Sequence, residues 1–292
     1  MIYSAEMPKQ NLRFLLFTIH GHLAAGNPNY AELFTVLTKQ LPGYSYVEGK
    51  KRIAVGAARL TGERLLVTIY AGDTDKSVLF FDLAEKAEFT TPNTPQRFQA
   101  RKTHIIIDPR ERLALIEAGR GRVSPEEIAE IIEKAAQKTD DYKTLEISLS
   151  PVAAKQFVQK IQSFQRIQLA SVSIVRPNPD WTDNYDALSQ YAGESGGAAI
   201  DATVRAKRGQ GLSKDKGLVA DIKKWVSDKL AAVSSAHIKG DFGSGLTILN
   251  LRDYVETVTI PVETRSDTGL PLESVVENKL TEYLNSREDG GA

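Results

Sequence analysis

The chain has 292 residues, of which 41% are hydrophobic and 25% charged, the make-up of an ordinary folded protein rather than a disordered one. It contains no Cys, which excludes disulfides, thiolate nucleophiles and Cys-held zinc or iron–sulfur centres and fits a reducing compartment. Its 37 basic and 37 acidic residues cancel, so no global field draws it to nucleic acid or to an anionic membrane.

Met1 to Gln10 lacks the basic stretch and apolar run of a secretory signal. Apolar runs such as Leu15-Leu16-Phe17 and Ile105-Ile106-Ile107 fall far short of the roughly 20 residues that cross a bilayer. A cytoplasmic, non-membrane-spanning protein is expected. In chain order, Leu12 to His20 reads as a packed strand. Asn27-Pro28 is expected to cap a helix carrying Tyr30, Leu33, Phe34, Leu37 and Leu41, which stops at Pro42-Gly43. Tyr44 to Leu60, Arg64 to Ala71 and Val78 to Phe81 read as an antiparallel meander with turns at Thr61-Gly62-Glu63 and Gly72-Asp73-Thr74-Asp75. Thr103 to Ile107 and Leu113 to Ala118 form a further hairpin around Asp108-Pro109.

Ser124-Pro125-Glu126-Glu127 has the pattern of a capping box, with Ile128, Ile131, Ile132 and Ala135 as the buried stripe behind it. A strand at 144–149, a helix after Pro151 and a strand at 167–175 follow, so positions 113–175 alternate strand and helix and imply crossover connections. Gly-rich and basic chain then leads to an amphipathic helix from Leu218 bearing Lys223, Lys224 and Lys229, three short strands (237–241, 246–251, 255–261) and a final helix. The fold class expected is α+β: an antiparallel N-terminal sheet, a central β-α-β-α-β unit, and a C-terminal helix, three-stranded meander and last helix. The segments expected are a core at 1–176, a basic Gly-rich linker at 177–217 and a C-terminal α+β unit at 218–292.

No self-sufficient catalytic motif stands out. His20-Gly21-His22 places two imidazoles on one strand face, as a zinc site would need, although strand-end histidines more often hold no metal. Gly-x-Ser-x-Gly and the Walker pattern G-x-x-x-x-G-K-S/T are absent, and Gly243-Ser244-Gly245 reads as a turn. No cofactor and no metal are expected. A metal-dependent nuclease would have to recruit Asp108, Glu111 and Glu117, or Glu48 with Lys50, to hold Mg²⁺, and such hairpin carboxylates usually face water. The charge distribution is more telling. From Arg205 to Lys239 there are nine basic and three acidic residues, a surplus of six, whereas Asp253 to Ala292 carries nine acidic and three basic. Arg205, Lys207, Arg208, Lys214, Lys216, Lys223 and Lys224 are the candidate phosphate contacts. No aromatic residue lies between Arg205 and Lys224, which favours double-stranded DNA over single strands. The plainer reading is a solvated face balanced by the acidic C-terminal stretch.

The block Leu145 to Leu149, the helix that follows, and Val172-Ser173-Ile174-Val175-Arg176-Pro177-Asn178-Pro179-Asp180 resemble a group of uncharacterised bacterial, phage-defence-associated proteins with an Arg-Pro-Asn-Pro-Asp motif. More distantly, the order of elements resembles lambda RexA, the DNA-binding half of a phage-exclusion pair. That resemblance implies a homodimer that clamps duplex DNA without sequence preference, with a membrane or effector partner encoded nearby. A protein-interaction or sensor subunit without DNA binding is the alternative, and a Mg²⁺-dependent nuclease the third.

Overall fold

The computed structural model describes residues 9–24, 26–74, 78–82, 87–91, 98–175, 199–227, 233–243, 245–265 and 268–289. The Arg-Pro-Asn-Pro-Asp motif and Lys229 lie outside them.

Two antiparallel sheets carry the fold, which is α+β as the sequence predicts. The larger is 8-stranded, with the order β14-β1-β8-β7-β4-β3-β2 and β9 also paired to β1. Its members are β1 (Lys9–His22), β2 (Ser45–Glu48), β3 (Lys51–Thr61), β4 (Arg64–Asp73), β7 (Arg101–Asp108), β8 (Leu113–Glu117), β9 (Glu146–Pro151) and β14 (Thr257–Glu263). A separate hairpin joins β5 (Val78–Asp82) to β6 (Ala87–Thr91).

Helices cover both faces of this sheet, which is why its central strands β1, β4, β7 and β8 read as near-continuous apolar runs instead of alternating ones. Phe17 and Ile19 of β1 pack with Ile105, Ile107, Ala114 and Ile116 against α1 (Tyr30–Gln40) and α2 (Pro125–Ala136). Leu12, Phe14 and Leu16 point the other way with Ile106, Leu113 and Leu115, against Val276, Leu280 and Leu284 of the C-terminal helix, here α5 (Glu273–Asp289). Fully burying each such side chain contributes roughly 1.5–3 kcal/mol.

The α1 cap is Asn29, whose side chain accepts from the Ala31 amide at 3.1 Å, in place of the expected Asn27. The α2 capping box forms as the sequence predicts, Glu127 N to Ser124 Oγ at 3.2 Å and Ser124 N to the Glu127 carboxylate at 2.6 Å. Because β8 pairs with Phe14 to Thr18 and β9 with Phe17 to His22, the two flank β1 on opposite sides and run parallel. The α2 connection is therefore the expected crossover, spanning one intervening strand.

After β9 the chain leaves this sheet. Helix α3 (Lys155–Ser163) leads into β10 (Arg166–Val175), which lies in a 4-stranded sheet of order β11-β10-β12-β13 with β11 (Ala199–Arg205), β12 (Val233–Asp241) and β13 (Leu246–Asn250). Phe157 and Ile161 of α3, and Ile222 and Trp225 of α4 (Leu218–Ser227), cover one face of it over Ala170, Val172, Ile174 and Ile238. Sheet membership cuts across the three expected segments: β11 sits inside 177–217, and of the three C-terminal strands β12 and β13 pair while β14 crosses back to β1. No helix among the described residues is long and apolar enough to cross a membrane.

Candidate nucleic-acid interface

The face of the 4-stranded sheet opposite α3 and α4 is set by strand alternation. Ile200, Ala202 and Val204 of β11 register with Ile174, Val172 and Ala170 on the helix side, so Asp201, Thr203 and Arg205 face outward. Across the sheet, Arg205 pairs with Leu169, Leu169 with Lys239 and Lys239 with Ile248, one outward row. The next row is Thr203, Ser171, His237 and Asn250, tied together by Ser171 Oγ–Thr203 Oγ1 at 2.9 Å and His237 Nδ1–Asn250 Oδ1 at 2.6 Å.

Beyond Arg205 the chain does not leave the sheet. The Ala206 amide donates to Gln168 O at 2.9 Å, Gln210 N closes a turn on Lys207 O at 2.9 Å, and Leu212 N donates to Ile167 O at 2.8 Å. Gly209 takes φ +81° in that turn, a conformation that glycine adopts without the Cβ penalty. A register shift between Ile167 and Leu169 lets the turn lie along β10. This part of the expected linker is thus pinned at both ends to a strand.

This construction encloses an open cavity of about 470 Å³ walled by five cations, Arg166, Arg205, Lys207, Arg208 and Lys239, over Leu169 and Gln168. Among the described residues no carboxylate lines it. Among the described residues none of the five forms an ion pair. Asp241, opposite Arg166 in register, turns its carboxylate to the Gly243 and Gly245 amides at 2.6 and 3.2 Å. No Phe, Tyr or Trp stands among the described outward residues of this sheet; Phe242 stacks on Phe164 at 4.1 Å, and Phe164 belongs to the helix-side core.

The family model described as a domain of unknown function (DUF4747) matches residues 11–224. The chain belongs to the DUF4747 family. No curated protein matches it. The DUF4747 match spans β1 to α4 and takes in Arg166, Arg205, Lys207 and Arg208, while Lys239 lies beyond it.

Of the seven candidate contacts, Arg205, Lys207 and Arg208 come together and four do not. Lys214 Nζ donates to Gln162 O at the end of α3 at 2.8 Å, and Lys223 pairs with Asp215 at 3.3 Å. Lys216 and Lys224 are exposed and stand outside the cavity. Arg166 is missing from the sequence-predicted set because it lies 39 positions before Arg205, and only strand register joins the two. Lys239 falls within the basic stretch, but nothing in its local sequence singles it out.

Asp108, Glu117 and His20 among the other sequence candidates are engaged elsewhere. Asp108 pairs with Arg64 and accepts from the Arg110 and Glu111 amides, holding the β7–β8 turn. Glu117 lies at the far end of that hairpin, 3% exposed. It accepts from His104 Nδ1 at 2.7 Å, from the His104 amide at 3.1 Å and from Arg122 at 2.6 Å. Burial works against charge on His104, but the Glu117 and Glu273 carboxylates outweigh it and raise its pKa. Glu273, facing His104 and paired with Lys102, is held down at about 2. Burial, Arg112 and His22 lower His20 to about 4, and its Nε2 lies 2.9 Å from Thr18 Oγ1. Among the described residues no group of three or more His, Asp or Glu is placed to hold a metal.

Proposed function

We propose that this protein binds the phosphate backbone of double-stranded DNA, without sequence preference, through the cavity formed by Arg166, Arg205, Lys207, Arg208 and Lys239. The observation that carries the reading is the convergence of five cations from β10, β11, β12 and the 206–212 turn, with no acid among the described residues of the lining. Bringing like charges together costs energy in the free protein, and a polyanion relieves it while releasing counterions. The absence of outward aromatic residues on the described part of this face removes the stacking platform that single-strand readers use. The resemblance to RexA extends the proposal to a homodimeric component of a bacterial phage-exclusion system with a membrane or effector partner.

The test is a salt titration of binding to a random duplex. With all five cations on phosphates the slope of log K against log salt is about −4.5, a loss of roughly 500-fold between 50 and 200 mM salt. Reversing Arg205 and Arg208 to Glu is expected to flatten the slope to about −2.7 or less. Failure to bind in 50 mM salt refutes the reading.

A second observation favours the sensor alternative. A cleft of about 530 Å³ lies between α2 and the 4-stranded sheet, lined by Phe17, Ala129, Ile147, Leu149 and Val255 with Glu126 and Arg252 paired at its rim. Retention of a bound protein after nuclease treatment, with no duplex binding in low salt, supports that reading over the first.

A further inference from the structure

The five cations of the basic cavity surround a small volume instead of forming a line along the surface. Half-buried Leu169 lies at its base, with Arg205 and Lys239 in register on either side, two interstrand spacings or roughly 9.5 Å apart. The 206–212 turn adds Lys207 and Arg208, and β10 adds Arg166. A Cβ on Gly211 would stand 3.0 Å from Arg166 Cγ, so the bare glycine leaves the arginine stem room to lie against the turn. The enclosed space is about 470 Å³, within the roughly 300–1,000 Å³ of small-molecule sites. A duplex meets these cations from outside, across the mouth. A compact anion can meet them from within.

We propose that the cavity binds a short chain of linked phosphates, free or carried by a nucleoside, in competition with the duplex. Charge sets the length. Two terminal groups of about −1.5 to −2 each and one internal phosphate of about −1 give inorganic triphosphate roughly −4 to −5, a match for the five cations of the lining. A single phosphate would leave most of them facing one another uncompensated. The lining also decides how the anion is held. No carboxylate among its described residues can share a divalent ion with the phosphates, so guanidinium forks and lysine ammonium groups bond the phosphate oxygens directly. The ligand is therefore taken without Mg²⁺. Binding of the polyphosphate rests on the cavity alone; the competition rests also on the duplex reading of the same cations.

Calorimetric titration of the full chain with inorganic phosphate, pyrophosphate and triphosphate, in EDTA and at matched low ionic strength, tests it. Affinity is expected to rise about tenfold or more with each phosphate added. Arg166→Gln and Arg208→Gln, both at exposed positions, are each expected to weaken triphosphate by about tenfold with thermal unfolding unchanged. Lys216→Gln, outside the cavity, is expected to bind as wild type, and excess Mg²⁺ to lower affinity by occupying the phosphate oxygens. Triphosphate that binds no tighter than phosphate, that loses nothing in both arginine variants, or that needs Mg²⁺ marks an adventitious ion only and overturns the proposal. ATP in the same buffer names the source: binding at least as tight as triphosphate assigns a nucleoside triphosphate, and weaker binding a free chain. Anisotropy of a labelled duplex separates the two readings of the cavity. Triphosphate bound with no duplex binding refutes the duplex reading alone, and duplex binding with no gain along the phosphate series refutes this one alone. Displacement of the duplex by triphosphate supports both, and simultaneous binding overturns the shared site.

Discussion

Arg122→Ala tests the buried charge network beneath α5. Glu117 is 3% exposed and has three donors, the His104 ring, the His104 amide and Arg122. Removing one partner of a buried ion pair typically costs about 3–5 kcal/mol. Here two donors remain, so the expected loss is about 2–3 kcal/mol. The loss has a pH signature. In the variant His104 becomes the only cationic side chain on Glu117, so its folded-state pKa, already raised, climbs further. A His with a raised folded-state value contributes stability that is complete below its unfolded value near 6.5 and fades as pH rises through the folded one. The deficit against wild type is therefore smallest near pH 6 and grows toward about pH 8.5. Urea unfolding of both proteins at the two pH values measures it. A loss under about 1 kcal/mol at both, or a deficit that shrinks as pH rises, refutes the assigned network.

His20 runs the opposite way. With its folded value lowered to about 4, the unfolded chain takes the proton first, so stability present above about pH 6.5 is lost as pH falls, by up to about 3 kcal/mol near pH 4. His20→Gln is expected to flatten that limb of the urea midpoint against pH. At Gly240 an added Cβ lies 2.7 Å from Arg166 O and 2.7 Å from Phe164 Cδ1. Gly240→Ala is expected to destabilise by about 1–3 kcal/mol and, by pushing β12 from the strand bearing Arg166, to weaken duplex affinity as well, read by thermal unfolding and fluorescence anisotropy.

Local chemistry in the sequence marks most elements. The Ser124 capping box, the Asp108 turn and the amphipathic α2 and α4 are all readable from spacing, because caps, turns and stripes are decided by residues within a few positions of each other. Long-range pairing is not readable in this way. The alternating segment Thr-Val-Thr-Ile-Pro-Val-Glu of β14 gives its period but not its partner, and it pairs with β1 across the whole chain. Buried on both faces, β1 loses the alternation that would have disclosed a core side, and the helix covering its second face is the last in the chain.

The same distinction governs the candidate site. A run of basic residues is visible in one dimension, but which cations share a surface depends on register. Lys214 and Lys223 belong to that run yet are spent on Gln162 and Asp215, whereas Arg166, 39 positions before that run begins, faces the same cavity as Arg208.

That difference supplies the sharpest measurement. Anisotropy titrations of a labelled random duplex with Arg166→Glu, Arg208→Glu, Lys216→Glu and Lys224→Glu compare cations gathered in space with cations merely adjacent in sequence. The cavity predicts that the first two weaken binding equally, each on the order of tenfold or more in low salt, and that the last two stay within about twofold of wild type. Equal losses from Lys216→Glu and Lys224→Glu, or normal affinity in Arg166→Glu, contradict it.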